Sequence, residues 1–117
     1  GETNPQTYYS KNKLEIEQKL NEIADETFQP IALRFATVYG MSPRIRFDVF
    51  INMLCGLALT SKKIKLNSDG QAWRPNLHID DACESIYRCL NWNAKSSGLI
   101  TFNVGSNPFN PVIAFIV

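Results

Sequence analysis

The sequence predicts an α/β fold organised on a parallel sheet, on three observations. A helix-period stripe of Ile16, Leu20, Ile23 and Ala24 runs into the near-continuous apolar segment 31–39, which Gly40 closes. A second strand-like segment, 99–104, also ends in a glycine, Gly105. Between the two, apolar residues recur twice more at helical spacing. A strand with little polar alternation is buried on both faces, as in parallel sheets whose crossovers are helices. In such sheets ligands gather beyond the carboxyl ends of the strands, and residues 37–40 stand at such an end.

Asn4-Pro5 keeps the opening residues in a loop, and Thr7 is a suitable N-cap for the helix that follows. Extending the stripe backward from Ile16 by three and then four residues reaches Lys13 and Tyr9, so both are expected to point inward with it. At this spacing an ammonium and a phenol lie one above the other, and a nearby cation favours the phenolate. The pair alone is equally compatible with a solvated helix face. An inward lysine without a partner is costly, however, which raises the functional reading.

Gln29-Pro30 ends the helical region ahead of the strand. After Gly40, residues 41–46 form a loop whose Arg44 and Arg46 suit either phosphate binding or plain solvation. A helix is expected over residues 47–60, burying Phe47, Phe50, Ile51, Leu54, Leu57 and Ala58 on one face, with Met53 and Cys55 as packing residues. Residues 62–66 alternate charge and aliphatic like a half-exposed strand, and Ser68-Asp69-Gly70 signals a hairpin-like turn. Residues 72–79 read as loop and strand, with His78, the single histidine, as a hydrogen-bonded structural residue. Asp80 opens a helix in which Asp81 and Glu84 have capping-box spacing and Ala82, Cys83, Ile86, Tyr87 and Leu90 face inward. Ser96-Ser97-Gly98 is a turn before the last strand, and residues 108–117 form an apolar stretch with two prolines.

A chain of 117 residues holds one domain, and 44% hydrophobic with 20% charged residues is an ordinary globular composition. Twelve basic and eleven acidic residues leave a net charge of +1, so no field argues for nucleic acid or a membrane surface as partner. The longest apolar stretch, 47–59, contains Asp48 and Asn52 and is too short to span a membrane. Three cysteines without C-x-x-C spacing read as buried, reduced thiols, and with no secretory pattern at the start a cytoplasmic location is expected. One histidine and dispersed cysteines give no metal-ligand spacing, so no metal site is expected.

Four segments, in order, resemble the extended short-chain dehydrogenase/reductase family, in its NAD(P)-dependent sugar-nucleotide epimerase and dehydratase branch. Tyr9, Lys13 and Glu17 match a Y-x-x-x-K-x-x-x-E helix, and Leu33-Arg34 with Val38-Tyr39-Gly40 match L-R-x-x-x-V-Y-G. Asp69-Gly70, Arg74 and the run Leu77-His78-Ile79-Asp80-Asp81-Ala82 resemble D-G-x-x-x-R-x-x-x-H-V-x-D-x-A, and Phe102-Asn103-Val104-Gly105 resembles F-N-V-G. The resemblance implies a partial Rossmann-like parallel sheet with a small substrate-binding subdomain. It implies that Tyr9 is the acid/base acting on a sugar hydroxyl during hydride transfer, and that Lys13 holds the nicotinamide ribose and favours the phenolate. By the same resemblance Ala36 and Val38 lie beside an NAD or NADP cofactor, and Thr37, where relatives carry asparagine, with Arg74 meets the nucleotide-sugar substrate. Read from the residues alone, Arg74 is an ordinary surface arginine. A homodimer through the Tyr-Lys helix is also implied.

The family's G-x-x-G-x-x-G turn and its upstream Ser or Thr have no counterpart in the sequence. Residues 1–117 are therefore expected to be the C-terminal part of one NAD-dependent epimerase/dehydratase domain, lacking the glycine-rich dinucleotide-binding half and inactive alone. A function of another class stays open beside this one: a non-catalytic nucleotide-sugar-binding or assembly module that keeps the substrate side of the fold.

Overall fold

The computed structural model describes residues 7–64, 66, 74–93 and 96–105; the expected opening loop before Thr7, the turn at 68–70, Ala72, Trp73 and the stretch 108–117 lie outside them. The described elements are α1 (Tyr8–Glu22), β1 (Ile31–Phe35), β2 (Thr37–Tyr39), α2 (Phe50–Ser61), β3 (Asn76–His78), α3 (Ile79–Leu90) and β4 (Ile100–Val104).

Both strand pairings are parallel, as the sequence predicts. β1 pairs with β4, from Ile31 opposite Ile100 to Phe35 opposite Val104. β2 pairs with β3, from Thr37 opposite Asn76 to Tyr39 opposite His78. The expected single strand 31–39 is instead two strands in two sheets, and the break falls at Ala36. The Ala36 N–H donates to the Val104 carbonyl at 2.8 Å, whereas the next N–H, that of Thr37, donates to the Pro75 carbonyl at 3.2 Å. One residue thus transfers the chain's hydrogen bonding from one partner strand to the other. The core lies at this transfer: Leu77, Ala82 and Val104 are buried, with Leu33, Ala36, Val38 and Phe102 packed against them. Each large apolar side chain so buried contributes about 1.5–3 kcal/mol.

The helices depart from the expected faces for identifiable reasons. In α3 the buried residues are Ala82 and Ser85, while Cys83, Ile86, Tyr87 and Leu90 are exposed. Small side chains let the helix lie close on β1, β2 and β3, and the Ser85 hydroxyl is satisfied by donating to the Ala82 carbonyl at 2.7 Å. The N-cap of α3 is His78, whose Nδ1 accepts the Asp80 N–H at 3.3 Å, in place of the Asp81–Glu84 box; Glu84 pairs with Arg88 at 2.8 Å. The helix expected over 47–60 begins at Phe50, leaving Phe47 in the turn before it; Phe47 and Phe50 are exposed, the other expected face residues are half-buried, and the buried residue of α2 is Asn52. Lys62 caps α2 in the left-handed conformation, φ 53°, and residues 62–64 form no strand. The thiols also differ from expectation, since Cys55 and Cys83 point away from the core on α2 and α3 and only Cys89 is half-buried.

Helix α1 begins with the capping box that Thr7 promises: the Ser10 N–H donates to Thr7 Oγ1 and the Thr7 N–H to Ser10 Oγ, each at 3.1 Å. Its inner face carries Ser10, Leu14, Glu17 and Leu20, which are half-buried, as is Ala24 just past its end. Leu20 and Ala24 of the expected stripe do face inward, but toward the amino end the inner face is shifted by one residue, to Ser10, Leu14 and Glu17, and Tyr9 (73% exposed), Lys13, Ile16 and Ile23 are exposed. The cause is the anchor. Arg34 on β1 grips Glu17 with two parallel bonds, Nε to Oε1 at 2.8 Å and Nη2 to Oε2 at 2.5 Å, and Asn21 Oδ1 accepts the Leu99 N–H at 3.0 Å.

The Arg34 hydrogen bonds, together with its charge, hold the Glu17 carboxyl below the usual carboxylate range against the opposing effect of desolvation. A lowered folded value means that the stabilisation is present above the unfolded value, about 4.3, and is lost as pH falls through the folded one. Glu17→Gln in the full chain is expected to cost about 1 kcal/mol at pH 7, because Arg34 is partly solvated, and to flatten the acid limb of stability. Urea unfolding between pH 7 and pH 3 measures both; an unchanged acid limb refutes the assignment.

Candidate functional site

The anchors give α1 its direction. Asn21 meets Leu99 just ahead of β4, while Glu17 meets Arg34, whose register partner Asn103 lies near the end of β4. Moving backward along α1 is therefore moving toward the carboxyl ends of the strands. At 1.5 Å per residue, Lys13 and Tyr9 lie about 6 and 12 Å beyond Glu17 in that direction. Lys13 Nζ stands 5.5 Å from the centroid of the Tyr9 ring, and among the described residues it has no carboxylate partner. Tyr8 and Lys11 have a similar relation at 5.9 Å. The two pairs differ in position, because Tyr9 borders the inner-face residue Ser10 and Tyr8 lies farther round the helix.

A second group converges on Ala36. The Thr37 N–H reaches the Pro75 carbonyl, with Thr37 opposite Asn76 in the ladder, and a Cβ on Gly105 would sit 3.1 Å from the Ala36 Cβ and 3.6 Å from that of Pro75. Thr37 and Arg74 are exposed, whereas Val38 is half-buried against the core. The structure thus brings Ala36 and Thr37 to Pro75, the chain neighbour of Arg74. Among the described residues no hydrogen bond or ion pair joins them to Tyr9 or Lys13.

At the end of β2 the backbone is tightly constrained. Gly40 has φ +122°, and a Cβ there would meet Ile79 Cγ2 at 2.8 Å and His78 Nε2 at 3.0 Å. The rings of Tyr39 and His78 pack edge to face, 5.3 Å apart at 76°. Asn52, 8% exposed, accepts the Gly40 N–H through Oδ1 at 3.0 Å and donates to the Arg46 carbonyl through Nδ2 at 3.0 Å. Of the two loop arginines, Arg46 forms a bidentate pair with Asp48, which holds the Asp48 carboxyl below its usual range, while Arg44 is exposed and has no ion pair among the described residues. Asn52 is the residue that sequence reasoning passed over; its signal was a single amide within an apolar helix.

Two recesses lie elsewhere. One of about 420 Å³ is bounded by Leu33, Ile86, Cys89, Trp92 and Ile100, and burial there pushes the Cys89 thiol up, away from the reactive thiolate. Another of about 680 Å³ follows α1 past Asn12, Ile16, Lys19 and Ile23. Among the described residues no group of three or more His, Cys, Asp and Glu could hold a metal, and no helix is long and apolar enough to cross a membrane.

The model of the NAD dependent epimerase/dehydratase family matches residues 1–105, and the chain belongs to that family. No curated protein and no solved structure matches it.

Gly40→Ala places a side chain in a left-handed backbone and against Ile79 at once. It is expected to cost about 1–3 kcal/mol, read as a lowered urea midpoint with an unchanged slope. An unaltered midpoint contradicts the constraint.

Proposed function

With membership of the NAD-dependent epimerase/dehydratase family as premise, we propose that the chain carries the acid/base and substrate side of an NAD(P)-dependent enzyme acting on a nucleotide sugar. The observation that carries this reading is the Tyr9–Lys13 pair: an exposed phenol beside an ammonium without a carboxylate partner among the described residues, on the helix that points past the carboxyl ends of the strands. That donor set fits the ribose end of a nicotinamide nucleotide. Lys13 would hold the ribose hydroxyls, and Ala36 and Val38 would lie beside the nicotinamide. When bound, the cofactor supplies the hydride acceptor.

Tyr9 then performs the proton transfer. Its oxygen takes the proton of a sugar hydroxyl as the C–H bond on the same carbon breaks, and returns it when the carbonyl is reduced again. Lys13, its Nζ 5.5 Å from the centre of the Tyr9 ring, stands beside this transfer. Arg74, exposed and planar, suits the diphosphate of the substrate, which a forked guanidinium grips with two bonds. Thr37, also exposed, offers a hydroxyl to the same ligand. The open apolar positions Ile16 and Ile23 on α1 support a second copy of the chain as a further partner.

Tyr9→Phe in the natural protein that contains residues 1–117 keeps the ring and removes the proton carrier. Turnover of a nucleotide sugar with NAD or NADP should fall by about 10²–10⁴-fold while calorimetric binding of the sugar nucleotide changes little. Unchanged turnover removes Tyr9 from the mechanism.

A further inference from the structure

The Asn52 amide is committed in a way that its neighbours are not. It is buried on α2 among apolar residues, and its two polar atoms meet opposite needs: Oδ1 accepts the Gly40 N–H and Nδ2 donates to the Arg46 carbonyl, both at 3.0 Å. The amide orientation follows from these partners, since a flipped group would set donor against donor. Asparagine alone among side chains of this size supplies one donor and one acceptor from a planar fork. Aspartate keeps the bond to Gly40 and loses the one to Arg46, whereas leucine loses both.

The two partners are the ends of one loop. Gly40 terminates β2 and is held in its left-handed conformation against His78 and Ile79, and Arg46 enters the turn before α2. Asn52 therefore closes residues 40–46 into a loop leaving the carboxyl end of the β2–β3 pair. Within that loop Arg46 is engaged by Asp48, which leaves Arg44 as its available cation.

We infer that Asn52 is a positioning residue: by closing the 40–46 loop it presents Arg44 to the diphosphate of the nucleotide-sugar substrate. This rests on the nucleotide-sugar reading above. The contribution belongs to Arg44, a permanently charged donor suited to phosphate oxygens. Asn52 touches no ligand and acts through the loop.

A double-mutant cycle on the full chain tests this, with calorimetric binding of uridine, thymidine, guanosine and cytidine diphosphates, each in turn, as the readout. Arg44→Ala and Asn52→Asp are each expected to weaken binding about tenfold, and the double variant should bind no more weakly than the weaker single one, because both remove the same contact. Amide hydrogen exchange at Gly40 follows the bond to Asn52 Oδ1 alone, one of the two that close the loop; Asn52→Leu should accelerate it, and Asn52→Asp, which loses only the Arg46 end, should preserve it. Multiplicative losses in the double variant, or a full-affinity Asn52→Asp, overturn the inference. If the wild-type chain binds none of the four diphosphates, the nucleotide-sugar reading fails and takes this inference with it.

Discussion

The bidentate pair between Glu17 and Arg34 is the interaction on which the candidate site depends. Helix α1 shares little packed surface with the strands, and its described side-chain bonds to them are this pair and the Asn21–Leu99 hydrogen bond. A helix held at two points has a fixed direction and rotation even with few buried contacts. The pair sets both: it turns the Glu17 face inward, sends the amino end of α1 past the carboxyl ends of the strands and leaves Tyr9 and Lys13 at the border of that face. Its setting is favourable, since Glu17 retains 18% side-chain exposure and Arg34 39%, so the charges are partly shielded while still hydrated enough to avoid a large desolvation cost.

The sheet side is built on a different constraint, the transfer of hydrogen bonding at Ala36. Because β1 pairs with β4 and β2 with β3, the two carboxyl ends open at adjacent points of one chain segment. Ala36, Pro75 and Gly105 meet there with little room for larger side chains. Beyond it, Gly40 and Asn52 fix where the chain turns away. Small residues and one buried amide thus shape the opening, and the exposed groups around it, Thr37, Arg74 and Arg44, remain available for a ligand.

Parallel pairing, the Thr7 cap and the approximate place of every described helix were legible in the sequence because they follow from local period and capping chemistry. Other features rest on partners distant in the chain. Glu17 and Arg34 were visible as letters of two motifs, yet seventeen residues separate them and no local pattern says that they meet. The apolar stripe of α1 therefore gave the wrong inner face toward its amino end. For α3, hydrophobic spacing favoured Ile86 and Leu90, whereas close approach to the strands selected Ala82 and Ser85. The break at Ala36 has no proline or glycine to announce it; it arises because the partner strand changes. Asn52 stood out as a polar residue in an apolar run, and its meaning came only with Gly40, twelve residues away.

Family membership and the geometry of α1 support the proposed account, in which Tyr9 and Lys13 act at the carboxyl ends of a parallel sheet on a helix that the Glu17–Arg34 pair directs there. The most direct test is charge reversal across that pair, measured as nucleotide-sugar turnover in the natural protein that contains residues 1–117. Glu17→Arg and Arg34→Glu should each lose most activity by releasing α1, and combining them should restore a large part of it. A double variant no more active than either single one would contradict the claim that this pair places the catalytic helix.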